Sequence, residues 1–264
     1  MINRIENKME QLKKEGKKAF VTYITAGLPE LKKTKELIKA QERAGIDVIE
    51  LGIPFSDPIA DGPVIQQASY EALLGGVTVK NIFSLMKEIR KEGVKVPVVF
   101  MLYYNTVLSC GIKDFVKECR DAGVDGLIIP DLPFEEQEEL SMALSGDDTT
   151  ILLQLVSPVS KDRIPMILEG ARGFVYCVSS MGVTGQAADF HKEVINYLKE
   201  VKSVSKIPVM MGFGIRTAKD VEPMKDIIDG AIVGSHFINI MKESGFSADK
   251  AGEYVREFKA ELNK

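Results

Sequence analysis

The sequence predicts an α/β fold in which residues 1–264 form a single (β/α)8 TIM-barrel domain. Three observations lead to this prediction. Eight short apolar runs alternate along the chain with charged segments whose apolar residues recur at three- and four-residue spacing. The runs are continuous in their apolar character, which is typical of parallel strands that are buried on both faces. A chain of 264 residues also has the usual length of one such barrel.

The eight predicted strands leave room for a helix between each strand and the next. They are AFVTYIT (19–25), DVIEL (47–51), PVVFML (97–102), GLIIP (126–130), ILLQLV (151–156), FVYCV (174–178), PVMM (208–211) and GAIVG (230–234). Helical crossovers between parallel strands are right-handed, and eight such units close a barrel. An open doubly wound sheet would show the same alternation, but eight parallel strands without an antiparallel edge favour the closed form.

The charged segments predict the outer ring of helices. The segments 29–45 and 113–123 carry apolar residues at helical spacing with Lys and Glu between them. They end at Gly45 and Gly123, where glycine suits the left-handed conformation that terminates many helices. We also expect an additional amphipathic N-terminal helix before the first strand, and a short phosphate-site helix after the eighth strand.

Composition and charge argue against several classes of function. The 34 basic and 38 acidic residues give a net charge of −4 without a basic stripe, so nucleic acid is not an expected partner. The longest strongly apolar stretch, 96–104, is far shorter than the ~20 residues that cross a bilayer, so no membrane contact is expected. Cys110, Cys119 and Cys177 lack CxxC spacing, which is typical of reduced thiols. We therefore expect a cytoplasmic protein.

Glu50 is the first candidate for catalysis, because it lies inside an apolar strand at the end where barrel active sites form. Removal from water would raise the pKa of this carboxyl above its free value of ~4.3 and make it a useful proton carrier near neutral pH. A structural glutamate that pairs with a buried partner would fit the position equally well.

Asp61 is the second candidate, in a loop rich in proline and aspartate that spans residues 54–63. The loop carries this carboxylate toward the same end of the barrel as Glu50. The alternative is a local role, in which Asp61 binds neighbouring amides or caps the helix that begins near Pro63.

Glycine-rich turns follow the last three strands, at 182–185, 212–215 and 234–235. Consecutive loops of this kind expose backbone amides that, together with the start of a short helix, can hold a phosphate dianion. Tight turns alone would account for any one of these glycines, but not for their clustering.

Two other chemistries are disfavoured by what the sequence lacks at its strand ends. His191 and His236 have no partners for a three-ligand metal site, and no lysine follows a strand where a Schiff base would form. We expect His236 to cap or pack its helix and to lie outside the site.

The segment ELGIPFSDPIADGP, from Glu50 to Pro63, is similar to the signature of the tryptophan synthase alpha chain family. The similarity extends over the whole chain and includes YYN (103–105), DLP (131–133) and the three glycine turns. It implies a carbon-carbon lyase that cleaves indole-3-glycerol phosphate to indole and glyceraldehyde 3-phosphate by a retro-aldol reaction. No metal or cofactor is implied for this chain; pyridoxal phosphate belongs to the beta subunit.

The resemblance also implies the role of each site residue. Glu50 would be the principal acid-base catalyst, and Asp61 would bind the indole N–H and support its transient positive charge. Thr184 would orient Asp61, and its loop would close over the substrate. The implied substrate-binding residues are Tyr23, Met101, Tyr103, Ile128, Tyr176, Thr184 and Phe213, and the phosphate-binding residues are Gly185, Gly214, Gly234 and Ser235. Tyr23 stands where the family commonly has phenylalanine.

The implied partner is a tryptophan synthase beta chain, in an alpha-beta-beta-alpha heterotetramer that receives the indole for L-tryptophan synthesis. The surface facing it would include Pro54, Phe55, Asp57, Pro58 and Asn105, although loop rigidity alone could explain these residues. The alternative function is a stand-alone indole-3-glycerol-phosphate lyase that releases free indole. A sugar-phosphate isomerase or epimerase and a non-catalytic barrel that activates a partner are the more distant alternatives.

Overall fold

The computed structural model describes residues 3–146, 149–178, 187–212 and 214–264, with only the backbone of 187–192. Within these ranges, parallel strands form one sheet in the order β5-β4-β3-β2-β1-β9-β8-β7-β6. The strands are β1 (Ala19–Thr25), β2 (Val48–Gly52), β3 (Val98–Met101), β4 (Gly126–Ile128), β5 (Ile151–Leu152), β6 (Gln154–Val156), β7 (Val175–Cys177), β8 (Val209–Met211) and β9 (Gly230–Val233). The predicted parallel α/β barrel is confirmed.

The sheet closes on itself where one short stretch of chain changes its neighbour. The predicted strand 151–156 is present as two pieces, β5 and β6, on either side of Leu153. β5 pairs with β4 and β6 pairs with β7, so the two ends of the sheet are consecutive in the chain. The Leu153 N–H still donates to the Leu127 carbonyl, at 2.9 Å. Strands in a barrel are tilted and staggered, and this stretch completes the circle by pairing with each neighbour in turn.

Helices surround the barrel as the periodicity predicts. They are α1 (Arg4–Lys14), α2 (Leu31–Arg43), α3 (Pro63–Leu74), α4 (Val79–Lys91), α5 (Tyr104–Cys110), α6 (Ile112–Ala122), α7 (Glu138–Leu144), α8 (Ile164–Leu168), α9 (Ala187–Val204), α10 (Ser235–Glu243) and α11 (Ala248–Leu262), with 3-10 turns at Phe134–Glu136, Pro158–Arg163 and Ala218–Met224. Both predicted extra helices are present, as α1 and α10. The turn after α6 is left-handed at Gly123, with φ of 68°. Among the helices in the described ranges, none has the length and apolar character needed to span a membrane.

The helix α1 closes the barrel at the end where the strands begin. Its buried face, Ile5, Met9 and Leu12, packs against the side chains that fill the barrel interior. The Asn3 side chain caps the helix by accepting from the Ile5 N–H at 2.8 Å, and it donates to the Asp125 carbonyl at 2.7 Å. Asp125 directly precedes β4 and is buried, where it accepts from Arg4. Because α1 fills this end, the cavity of the barrel opens at the other end.

Candidate active site

A cavity of about 1340 Å³ lies at the carboxyl ends of the strands. A pocket of this size accommodates a small organic ligand, and its lining mixes apolar side chains with a few polar groups, as binding sites do. It lies where TIM barrels carry their active sites. The predicted site residues that line it are Tyr23, Glu50, Asp61, Met101, Ile128, Tyr176, Gly214, Gly234 and Ser235.

Glu50 is buried at the centre of the barrel mouth, with only 1% of its surface exposed. It lies in β2, in register with Tyr23 of β1 and Val99 of β3. Within the described structure, the Oε1 atom of Glu50 has no hydrogen-bond partner. Burial raises the pKa of Glu50 to about 8, and the negative charge of Asp61 adds to the effect. The carboxyl group is therefore mainly protonated at neutral pH.

Asp61 is held by a tyrosine hydroxyl and does not cap a helix. The Tyr103 hydroxyl donates to Asp61 Oδ2 at 3.0 Å and accepts from the Ala60 N–H at 2.9 Å. Phe55 stacks on the Tyr103 ring with a centroid separation of 5.1 Å. The helix α3 begins at Pro63 with Gly62 as its N-cap and without a side-chain cap. Tyr103 therefore fastens the loop at both Ala60 and Asp61, and it fixes the carboxylate from outside the cavity lining.

The two carboxyl groups are tuned to different proton affinities. Burial raises the pKa of Asp61 to about 6, while the hydrogen bond from Tyr103 opposes that rise. Since the pKa of Glu50 is about 8, at pH 7 Asp61 is mostly ionised and Glu50 mostly neutral. A site with one carboxylic acid and one carboxylate can donate a proton and stabilise a positive charge at the same time.

Two tyrosine rings lean across glycines at the barrel mouth. A Cβ atom on Gly52 would lie 1.9 Å from the Tyr23 hydroxyl oxygen, and one on Gly212 would lie 2.4 Å from the Tyr176 ring. In each case the glycine is two residues beyond the strand partner of the tyrosine, because Tyr23 pairs with Glu50 and Tyr176 with Met210. Glycine is needed at both positions because any side chain would displace the ring.

The structure describes part of the region where the glycine turns predict phosphate binding. Gly214 has a positive φ of 68°, and Gly234 immediately precedes the first residue of α10, Ser235. Gly214, Gly234 and Ser235 all line the cavity. Thr184, Gly185 and Phe213 lie outside the described residues.

Several cavity residues were not anticipated. Arg216 and His236 line the cavity beside the glycine turns, although His236 was expected to lie outside the site. Gln154 also lines it and donates to Gln137 at 2.8 Å. Arg216 and His236 each stand one residue beyond a predicted glycine motif. That position in the sequence was the feature that could have indicated a place at the cavity. Side-chain direction, which decides whether such a residue faces the cavity, is not visible in the sequence.

The residues expected to face a partner lie near one another but differ in exposure. Asp57 and Asn105 are exposed, Phe55 and Pro58 are part-buried, and Pro54 is buried.

All three cysteines have free thiols, with Cys110 exposed and the other two buried. In the described part of the chain, no group of three or more His, Cys, Asp or Glu side chains could hold a metal ion.

Comparison with known proteins identifies the family. The model of the tryptophan synthase alpha chain family matches residues 9–264. The tryptophan synthase alpha chain of Lachnospira eligens is 62% identical over 263 residues, covering 99% of this chain and 100% of that relative. The corresponding protein of Alkaliphilus metalliredigens is 44% identical over 258 residues, covering 98% of this chain and 96% of the relative.

Solved structures agree with the sequence relatives. Tryptophan synthase subunit alpha from Legionella pneumophila superposes with a TM-score of 0.88 at 32% identity and covers 99% of both chains. A chain of Mycobacterium tuberculosis tryptophan synthase gives a TM-score of 0.88 at 31% identity and full coverage of both chains. With a barrel of this architecture and a match along nearly its whole length, the chain belongs to the tryptophan synthase alpha chain family.

Proposed function

We propose that this enzyme cleaves indole-3-glycerol phosphate to indole and glyceraldehyde 3-phosphate, with Glu50 and Asp61 as its catalytic residues. The observation that carries the proposal is the state of Glu50, which is buried at the cavity with one carboxyl oxygen free of any described partner. A group that is both desolvated and unpaired is available to exchange a proton with a bound substrate.

The reaction needs one proton added and one removed. Glu50, neutral at pH 7, donates its proton to C3 of the indole ring, and the ring nitrogen takes up the positive charge. Asp61, as a carboxylate, accepts a hydrogen bond from the indole N–H and stabilises that charge. The bond between C3 and the glycerol carbon then breaks as the hydroxyl on that carbon becomes an aldehyde. Its proton passes to the ionised Glu50, which returns to its starting state.

The remaining contacts proposed for the substrate follow the shape of the cavity. Tyr23, Met101, Ile128 and Tyr176 form an apolar wall for a flat indole ring, together with Phe213. The glycerol phosphate would extend to Gly214, Gly234 and Ser235, where amide groups and the start of α10 favour an anion. Gly185 would join this phosphate site, and Thr184 would orient Asp61.

The indole is proposed to pass to a tryptophan synthase beta chain, on which pyridoxal phosphate would supply the chemistry that joins it to serine. The interface would include Phe55, Asp57, Pro58 and Asn105. The buried Pro54 would support the loop beneath this surface. We also propose a cytoplasmic alpha-beta-beta-alpha heterotetramer. Within it, residues 1–264 would form one TIM-barrel domain, since strands from both ends of the chain share one interior.

The test of the proposed reaction is indole release from indole-3-glycerol phosphate by the purified chain and by its Glu50→Gln variant. We expect the variant to lose roughly 10²-fold to 10⁴-fold in kcat, the usual contribution of a positioned acid-base group, while substrate still binds. Glu257→Gln, a change on the exposed surface of α11, serves as the matched control. Equal turnover by Glu50→Gln and the unmodified chain would overturn the mechanism.

A second measurement separates a subunit from a stand-alone lyase. We expect a tryptophan synthase beta chain to increase the rate of cleavage and to consume the indole that forms. A stand-alone lyase would instead release free indole at the same rate whether or not the beta chain is present.

A further inference from the structure

Arg216 supplies a cation at the cavity that the proposed mechanism does not use. Its backbone is fixed at both ends, because its N–H donates to Asp220 Oδ2 at 2.9 Å and its carbonyl accepts from the Tyr254 hydroxyl at 2.7 Å. Arg216 is exposed and lines the cavity, and within the described structure its guanidinium group makes no hydrogen bond or ion pair. A guanidinium that is anchored through its backbone but otherwise unpaired is suited to a ligand with negative charge.

His236 lies at the same end of the cavity, in the first turn of α10. Its ring meets the Tyr254 ring edge-on with a centroid separation of 6.0 Å, and the described residues offer its ring nitrogens no hydrogen-bond partner. Tyr254 therefore contacts both Arg216 and His236. Tyr254 itself packs against Phe237 and Phe258, so the two basic residues are held on a rigid aromatic base.

Two acids, Asp220 and Glu243, interact electrostatically with this pair of basic residues. The Asp220 carboxylate accepts from the backbone N–H groups of Arg216 and Thr217 and keeps its negative charge, but within the described structure it forms no ion pair with the Arg216 guanidinium. Burial lowers the pKa of His236, and the positive charge of Arg216 lowers it further, against the weaker opposing effects of Asp220 and Glu243. An anion placed between Arg216 and His236 would satisfy both side chains.

We propose that Arg216 and His236 are side-chain ligands of a phosphate dianion, and that they complement the backbone amides at Gly214, Gly234 and Ser235. The inference rests on the proposed function, because it places the phosphate of the substrate at this end of the cavity. The phosphate subsite would then contain more than amide groups and the start of a helix. It would also contain the permanent positive charge of Arg216 and the titratable imidazole of His236. Selection for a doubly charged phosphate over a neutral group follows from that charge.

Binding of sn-glycerol 3-phosphate, measured by isothermal titration calorimetry, tests the proposal. We expect Arg216→Ala to weaken binding roughly tenfold, the effect of losing one charge-assisted contact, and Arg216→Lys to recover part of it. Lys219→Ala is the matched control, since Lys219 is a nearby exposed cation that does not line the cavity. It should bind as the unmodified chain does. Equal affinity in the Arg216→Ala and Lys219→Ala variants would overturn the role of Arg216.

His236 has a signature of its own, which is proton uptake. A bound dianion favours the imidazolium form, so the complex should gain protons relative to the free protein near pH 7. Titrations in two buffers of different ionisation enthalpy measure that gain, which should be smaller in His236→Asn. Arg216, Asp220, Glu243 and Tyr254 are unchanged in this variant, so they contribute equally to both titrations. Identical uptake would overturn the role of His236.

These outcomes can be told apart from failure of the proposed reaction. If the unmodified chain does not bind sn-glycerol 3-phosphate at all, both the phosphate site and the two side-chain ligands are wrong. If it binds the phosphate with the expected losses in the variants but releases no indole, the ligands stand and the reaction falls.

Discussion

Glu50 is a carboxyl group kept away from water, and its ionisation therefore opposes folding. Its pKa rises from the ordinary 4.5 to about 8 in the folded protein. The stability associated with the protonated group is fully present below pH 4.5 and is lost as the pH rises to about 8, at roughly 1.4 kcal/mol per pH unit. The buried acid that we propose for catalysis is thus also a pH-dependent cost to the fold.

Replacement of Glu50 by glutamine should remove this pH dependence. We expect Glu50→Gln to match the unmodified chain near pH 4.5 and to have the larger free energy of unfolding at pH 8, because glutamine cannot ionise. Urea denaturation at the two pH values measures the difference. Glu257→Gln, on the exposed surface of α11, should follow the unmodified chain at both. A constant difference between Glu50→Gln and the unmodified chain would show that Glu50 does not carry the raised pKa.

Tyr103 lowers the pKa of Asp61 by donating to its ionised form. Removal of the hydroxyl in Tyr103→Phe should therefore raise the pKa of Asp61 above about 6. If Asp61 must be ionised to bind the indole N–H, the acidic limb of the kcat/KM profile moves to higher pH. Tyr70→Phe, which removes an exposed hydroxyl on α3, should leave the limb in place. An unmoved limb in Tyr103→Phe would contradict the role given to this hydrogen bond.

At the residue scale, the sequence indicated which carboxyl groups to consider but not how they are held. Glu50 stood out because an acid in an apolar strand end is unusual, and Asp61 because of its loop. The hydroxyl of Tyr103 and the ring of Tyr254 reach the site from other elements. Contacts of this kind join residues far apart in the chain. They depend on tertiary packing, which local sequence patterns do not predict.

The element with the clearest structural task is α1, which fills the end of the barrel opposite the cavity. Ile5 is fully buried there, among the side chains of the barrel interior. Its position remote from the strand carboxyl ends separates its contribution to stability from any contribution to catalysis. The residues of this helix alternate between a buried face and a charged one, and that pattern was enough to predict it.

Truncation of Ile5 should therefore destabilise the fold without altering the chemistry. We expect Ile5→Ala to lower the free energy of unfolding by about 3 kcal/mol, the usual result of leaving a cavity in a packed core. The kcat for indole release should not change at temperatures where the variant is folded. Lys13→Ala, on the exposed face of the same helix, is the control for both measurements. A large loss of kcat in folded Ile5→Ala would mean that the two ends of the barrel are coupled.

The strands also show which features the hydrophobic pattern of the sequence does not predict. The first predicted strand, 19–25, agrees with β1 at both ends, because a long apolar run that starts after charged residues has unambiguous limits. The run 151–156 looks equally continuous in sequence. Its division at Leu153 depends on which neighbour each half meets, and that is a property of the closed barrel.

The whole molecule presents one face where the loop after β2 and the start of α5 lie close together. Phe55 of that loop stacks on Tyr103, which directly precedes α5. A partner that docks on Asp57 and Asn105 would touch the loop and the helix on either side of this stacked pair, and the Tyr103 hydroxyl donates to Asp61. This connection would give the proposed beta chain a physical route to the loop that carries Asp61.

Substitution at this face should weaken assembly before it affects the chemistry of the isolated chain. We expect Asn105→Ala to reduce the affinity for a tryptophan synthase beta chain about tenfold, as loss of a central interface contact does. Calorimetric titration with the beta chain measures the affinity, and indole release by the chain alone should be unchanged. Lys13→Ala, at the opposite end of the barrel, is the control. Unaltered affinity in Asn105→Ala would remove this residue from the proposed interface.

The division at Leu153 is the place where the barrel changes from one strand pairing to the next. On one side of it β5 shares two register pairs with β4, and on the other β6 shares three with β7. The pairing of β8 with β9 is equally short, at two register pairs, whereas β1 shares five pairs with β2 and β2 shares four with β3. Small changes in the width of the mouth would thus be absorbed on the side of the barrel that runs from β4 to β9, where no ladder exceeds three register pairs, while the Glu50 side, built on longer ladders, keeps its shape.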